Sequence, residues 1–180
     1  ILAKHLNKRR ADGIYAASNT TTPSVITINK GKITAQAYNY AYGIYSTGTV
    51  NINGGEITGE TVGGATAYGI YMNAVADVDD SKSYAGELNM TDGIVIAKTE
   101  TSGAYGILIQ GVTSSATESA TDGTHTNKAT AKCNITGGTI KALPKTTTAR
   151  GVLIQGDTIS KTGEHLVAKI KNAIIYCWNK

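Results

Sequence analysis

Few stretches of this chain place reactive side chains at spacings that chemistry could use. The densest acidic run is ADVDDSK, whose Asp77, Asp79 and Asp80 could offer oxygens to a hard cation such as calcium. The run lacks the glycine and closing glutamate of an EF-hand loop, so a solvated loop is the simpler expectation and the metal a weak candidate. His5, His125 and His165 stand far apart, with no HxxxH or HExxH spacing between them. No serine sits in a GxSxG turn. Two cysteines, Cys133 and Cys177, are too few for a disulfide framework or a zinc site, and are expected as buried, unbridged small hydrophobes. No catalytic residue and no cofactor are expected.

The bulk composition narrows the classes further. The 180 residues suffice for one domain with a sizeable core. Charged residues make up 17%, below the roughly 25% of ordinary globular chains. Thr, Ala, Gly, Asn and Ile dominate, while Phe is absent and Pro nearly so. That bias favours strands joined by tight turns, because β-branched residues suit a pleated surface and Gly supplies the turns. The net charge is +4, but the lysines are scattered and the one basic run is Lys8-Arg9-Arg10, so nucleic acid is not expected as a partner. No apolar run approaches the roughly 20 residues of a membrane-spanning helix.

The organising feature is a repeat. DGIYA, YGIYS, YGIYM, YGILI and RGVLI begin at residues 12, 42, 68, 105 and 150. They alternate with ITINKGKITA, VNINGGEITG, LNMTDGIVIA, CNITGGTIKA and AKIKNAIIYC, beginning at 26, 50, 88, 133 and 168. From the turn glycine of the second motif to the next GIY-type glycine the distance stays within 12–14 residues. In the other direction it runs from 12 to 32. One side of each repeat is therefore held and the other accepts insertions. A minimal period of about 24–26 residues with three short alternating segments is the signature of a solenoid.

Alternation assigns the faces. Stacked copies give inward columns Ile28, Ile52, Met90, Ile135, Ile170 and Ile33, Ile57, Val95, Ile140, Ile175. A third column, Ala35, Gly59, Ala97, Ala142, Cys177, is small throughout. The GG corner should hold a positive-φ residue, with Asn172 of the Asn172-Ala173 pair able to serve in the last copy. Ile1-Leu2-Ala3 falls in phase with Ile57-Thr58-Gly59, so the chain is expected to be a segment of a longer solenoid, or one without caps. The expected architecture is all-β: a right-handed parallel β-helix spanning residues 1–180 as one domain, with about five coils and variable loops on one side.

The repeats GIYSTGTVNINGGEITG and GILIQG…CNITGGTIKA resemble those of adhesin-like, right-handed parallel β-helix proteins from bacterial cell surfaces. The likeness spans residues 1–178. It implies an exported, extracellular or cell-surface protein engaged in adhesion. The same superfold also hosts polysaccharide lyases and hydrolases, so shape alone does not choose between them.

Sequence favours the non-enzymatic side. Polysaccharide cleavage needs paired carboxylates, whereas Glu56 is alone in its column beside Lys32, Ile94, Thr139 and Ile174. An enzyme would have to draw its acids from Asp77, Asp79, Asp80, Glu87, Glu118 and Asp122 in the insertions. A fibre or filament subunit, self-associating through the solenoid ends, is a further alternative. One column stays unexplained by the core: Tyr15, Tyr45, Tyr71, Leu108 and Leu153 must face away from Ile14, Ile44, Ile70, Ile107 and Val152. This outward stripe is either covered by the insertions, a surface for another protein, or a platform for a glycan.

Overall fold

The computed structural model describes residues 1–7, 9–17, 24–73, 86–110, 132–155 and 167–178. Among them lie fourteen strands and no helix. In order they are β1 (Leu2–His5), β2 (Arg10–Ala16), β3 (Val25–Ile28), β4 (Lys32–Ala37), β5 (Tyr40–Ser46), β6 (Thr49–Thr61) and β7 (Ala67–Asn73). There follow β8 (Glu87–Thr99), β9 (Ala104–Gln110), β10 (Lys132–Ile135), β11 (Thr139–Pro144), β12 (Ala149–Gln155), β13 (Val167–Ile170) and β14 (Ile174–Cys177). Every recorded pairing is parallel, so the fold is all-β with parallel sheets.

The GIY-type segments form one sheet of five strands in the order β12-β9-β7-β5-β2. The other two segments of each repeat form a nine-stranded sheet that bends at the glycine corner. In β6 and β8 a single 13-residue strand runs through that corner; elsewhere the corner divides it into β3 and β4, β10 and β11, or β13 and β14. The register between β6 and β8 shifts at Ile52, Asn53 and Glu56, where the bend lies. Leu2 and Ala3 pair with Thr34 and Ala35, which in turn pair with Thr58 and Gly59, as the phase of the repeat requires.

The corner residues are Gly31, Gly55, Gly93 and Gly138, with φ between 88° and 103°. Only a residue without Cβ takes this conformation freely. In the last repeat Ala173 occupies the equivalent place, and the left-handed residue moves one position back to Asn172, at φ 53°. The corner still closes: Lys171 N–H donates to Ile135 O at 2.7 Å and Ile174 N–H to Gly138 O at 3.0 Å.

A second set of glycines sets how closely the two sheets approach. A Cβ on Gly43 would meet Gly69 O at 2.5 Å and Ile57 Cγ2 at 2.6 Å. Gly13, Gly69, Gly106 and Gly151 are equally crowded by the facing Ile33, Val95, Ile140 and Ile175. Beside this contact the interior narrows to alanines, with Ala11, Ala35, Ala37 and Ala41 in one cluster and Ala67, Ala97, Ala104 and Ala142 in another. The wider part holds the main core of Ile44, Ile52, Ile57, Ile70, Met90 and their neighbours. Buried hydroxyls are paired: those of Thr61 and Thr99 lie 2.8 Å apart and both reach the Ala65 carbonyl.

The inward columns hold through the middle repeats and change at the last. Ile170 and Ile175 are 45% and 41% exposed, because β13 and β14 are edge strands with no described strand stacked beyond them. Cys177, expected inside with Cys133, is exposed for the same reason. Cys133 is buried, both thiols are free, and burial pushes the Cys133 thiol up to about 11.

Outside, the nine-stranded sheet carries polar ladders. Asn89 donates to Asn51, and Asn53 to Asn29, at 3.1 and 3.0 Å. Glu56 meets Lys32 at 2.7 Å. Glu60 accepts from both Gln36 and Lys98; burial opposes its charge, but these bonds outweigh it and hold the carboxyl below its usual value.

Candidate functional site

Strand pairing places Tyr15, Tyr45, Tyr71, Leu108 and Leu153 in one column on the outer face of the five-stranded sheet. Exposure falls along it, from 59% at Tyr15 to 6% at Leu108. The ring centroids of Tyr15 and Tyr45 are 5.0 Å apart and those of Tyr45 and Tyr71 5.2 Å, both pairs inclined by 16°.

A second column runs beside it: Asp12, Tyr42, Tyr68, Tyr105 and Arg150. Tyr42 stacks on Tyr68 at 4.9 Å, and Tyr68 on Tyr105 at 5.3 Å. Between the columns the rings meet edge to face. Tyr42 contacts Tyr45 and Tyr71, and Tyr68 contacts Tyr71, at 5.3–5.7 Å and 80–84°. Rings nearly parallel within a column and nearly perpendicular between columns make a herringbone, which satisfies the aromatic quadrupoles in both directions.

Strict alternation by two hides this second column. Tyr42 and Tyr45 are three residues apart and would point to opposite faces. Gly43 and Ile44 are, however, consecutive and both buried, since the close-approach glycine uses an inward place without a side chain. Tyr42 and Tyr45 are thereby returned to the same outer face. The recurrence of AYGIY, AYGIY and AYGIL at 41, 67 and 104 was the available signal.

Polar groups fringe the rings. The Arg10 guanidinium lies 4.6 Å from the Tyr42 centroid, 4.8 Å from Tyr45 and 5.5 Å from Tyr15, while its Nε and Nη2 donate to the Asp12 carboxylate at 2.9–3.0 Å. Arg150 sits 5.4 Å from the Tyr105 ring and donates to its hydroxyl at 3.4 Å. Tyr71 Oη donates to Gln110 Oε1 at 2.7 Å. Burial, reinforced by neighbouring phenols, raises Tyr42, Tyr68 and Tyr71 above the ordinary phenol range, Tyr68 to about 12. These rings stay neutral at physiological pH.

The faces of the inner rings are occupied by one another. What they present outward is edges and hydroxyls, held rigidly on a sheet. Such an array suits recognition of a surface, since little side-chain freedom remains to be lost on binding.

The other candidate residues are not drawn to this face. Asp77, Asp79 and Asp80, with Glu118, Asp122, His125 and His165, lie outside the described residues. Glu87 accepts from Asn89 at 3.1 Å, and His5 is exposed. Among the described residues no group of three His, Cys, Asp or Glu could hold a metal ion. No described helix is long and apolar enough to cross a membrane.

Comparison with family models, with curated proteins and with solved structures finds no match to this chain. The resemblance to adhesin-like β-helices thus rests on the repeat residues themselves.

Proposed function

We propose that the chain is a right-handed parallel β-helix module of an exported surface protein, non-enzymatic, whose aromatic outer face binds a glycan or protein partner. Support for the solenoid reading comes from the parallel register repeated layer on layer, the recurring corner glycine and the close-approach glycine. One observation carries the binding reading: the herringbone of six tyrosines on the solvent side, where the core does not require them. Exposed apolar stripes edged by polar groups mark interaction surfaces. A glycan on this face would meet phenol edges and hydroxyls along the ladder instead of stacking on the inner rings. A protein partner would cover both columns at once.

The test is binding of the purified chain to immobilised glycans and to extracellular matrix proteins, compared with Tyr45→Ser and Tyr71→Ser. Loss of binding in variants that remain folded supports the face. Unchanged binding, with lowered stability alone, would show that the tyrosines serve only to tie the layers together.

A further inference from the structure

A second feature lies on the other sheet and is independent of the aromatic face. Three neighbouring strands, β8, β11 and β14, deliver residues distant in sequence to one groove of about 450 Å³. Leu143 pairs with Lys98, and Pro144 with Thr99. Trp178 follows the Ala142–Cys177 pair, its N–H donating to Ala142 O at 3.2 Å. Leu143 and Trp178 form an apolar shelf beside the buried Pro144, and Trp178 is 62% exposed. Around the shelf stand Lys98, Glu100 and Lys145. Lys98 Nζ lies 2.6 Å from Glu60, and Lys145 Nζ 2.6 Å from Glu100.

We infer that this groove binds a neutral pyranose ring, presented singly or in a short oligosaccharide. A pyranose has an apolar C–H face and an equatorial fringe of hydroxyls. An exposed indole beside the half-buried Leu143 suits the face, as apolar floors with a few placed polar groups suit small ligands generally. The fringe meets charges already balanced, two ammonium groups each paired with a carboxylate. A hydroxyl can accept from Lys145 and donate to Glu100 while that pair stays intact. An anionic ligand would bring its charge beside Glu60 and Glu100, which already neutralise the two ammonium groups, so the balance favours a neutral ligand. The volume lies within the roughly 300–1,000 Å³ range of ligand sites and admits a sugar ring with room for a linked neighbour.

The chain has a single tryptophan, so its emission reports on the groove directly. Di- to tetrasaccharides of glucose, galactose and N-acetylglucosamine are titrated into the full chain, with calorimetry in parallel. A saturable shift in Trp178 emission with at least one neutral sugar is expected. Trp178→Ala should weaken calorimetric binding at least ten-fold, and Glu100→Gln several-fold, with circular dichroism unchanged. Tyr45→Ser should leave it intact, which separates this site from the aromatic face. No saturable response to any neutral sugar up to millimolar concentration overturns the proposal. So does binding retained in Trp178→Ala or lost in Tyr45→Ser. Tighter, salt-sensitive binding of oligogalacturonate overturns the assignment of a neutral ligand.

Discussion

Tyr42 and Tyr45 lie three residues apart on one strand, yet their rings meet edge to face with centroids 5.7 Å apart. Gly43 makes this contact by taking an inward place that has no room for a side chain. A packing constraint inside the molecule thus builds the pattern on its surface.

Removing that constraint should be costly. Gly43→Ala puts a methyl within 2.6 Å of Gly69 O and Ile57 Cγ2, and overpacking of this kind costs about 1–3 kcal/mol. Gly64 is exposed with nothing within 4 Å of a Cβ, so Gly64→Ala should stay within about 0.5 kcal/mol of the parent. Denaturant midpoints measure both, and equal midpoints would remove the close-approach argument.

The shifted corner of the last repeat makes a separate prediction. Asn172 holds φ 53° where Ala173 does not enter the left-handed region. Asn172→Ala should destabilise by up to about 1 kcal/mol, since both residues carry the Cβ that crowds the carbonyl there but only the short polar side chain of asparagine can offset it by bonding locally. Asn172→Gly should cost nothing or stabilise slightly. If alanine proves as good as glycine, the left-handed corner carries no strain.

Coupling across the herringbone can be measured by a double-mutant cycle. Tyr42→Leu and Tyr45→Leu should show an interaction energy of about 0.5–1.5 kcal/mol. Gly64→Ala paired with Tyr45→Leu should add without coupling, as the sites share no contact. Additive losses for the tyrosine pair would mean the rings are neighbours without being partners.

The raised phenols give stability a direction in alkali. Tyr68 titrates near 12 in the fold against 10 when unperturbed, burial being the main cause and the neighbouring Tyr105 the next. Between these values the folded chain keeps a proton that the unfolded chain has lost, so stability falls as pH rises. The contribution is fully present below about pH 10 and lost as pH climbs through the folded value. Phenolate absorbance should therefore lag behind that of free tyrosine until the chain unfolds, and Tyr68→Phe should lessen the alkaline slope. A slope unchanged by Tyr68→Phe would place the loss elsewhere.

Much of the fold was legible because it follows from one-residue rules. Gly31, Gly55, Gly93 and Gly138 marked the corners, and the alternation of Ile52 with Asn51 and Asn53 sorted inside from outside. The register then followed, since Lys32, Glu56, Ile94, Thr139 and Ile174 align by the repeat alone and do pair in that order. Half of the candidate face was legible in the same way, as the Tyr15, Tyr45, Tyr71 column. The Tyr42, Tyr68, Tyr105 column was not, because it depends on Gly43 breaking the alternation, and that break arises from the facing sheet. Arg10 and Asp12 were equally hidden: their role depends on the strand next to theirs. The groove at Trp178 is assembled from three strands whose residues lie about forty positions apart, beyond the reach of any local pattern.

The close-approach glycine also bears on how such a chain can change over generations. The stretch from each corner glycine to the next Gly43-type residue is locked at both ends, one by a backbone angle and the other by contact with the opposite sheet. Its length varies only from 12 to 14 residues, and the difference is taken up in the turn between the two strands, so Ile57 keeps its glycine and Tyr42 and Tyr45 keep their shared face. Larger changes in length fall where neither lock applies, after β2, β7, β9 and β12. Inheritance is thus free to rewrite the connections on one flank while the aromatic face is copied in step with the core.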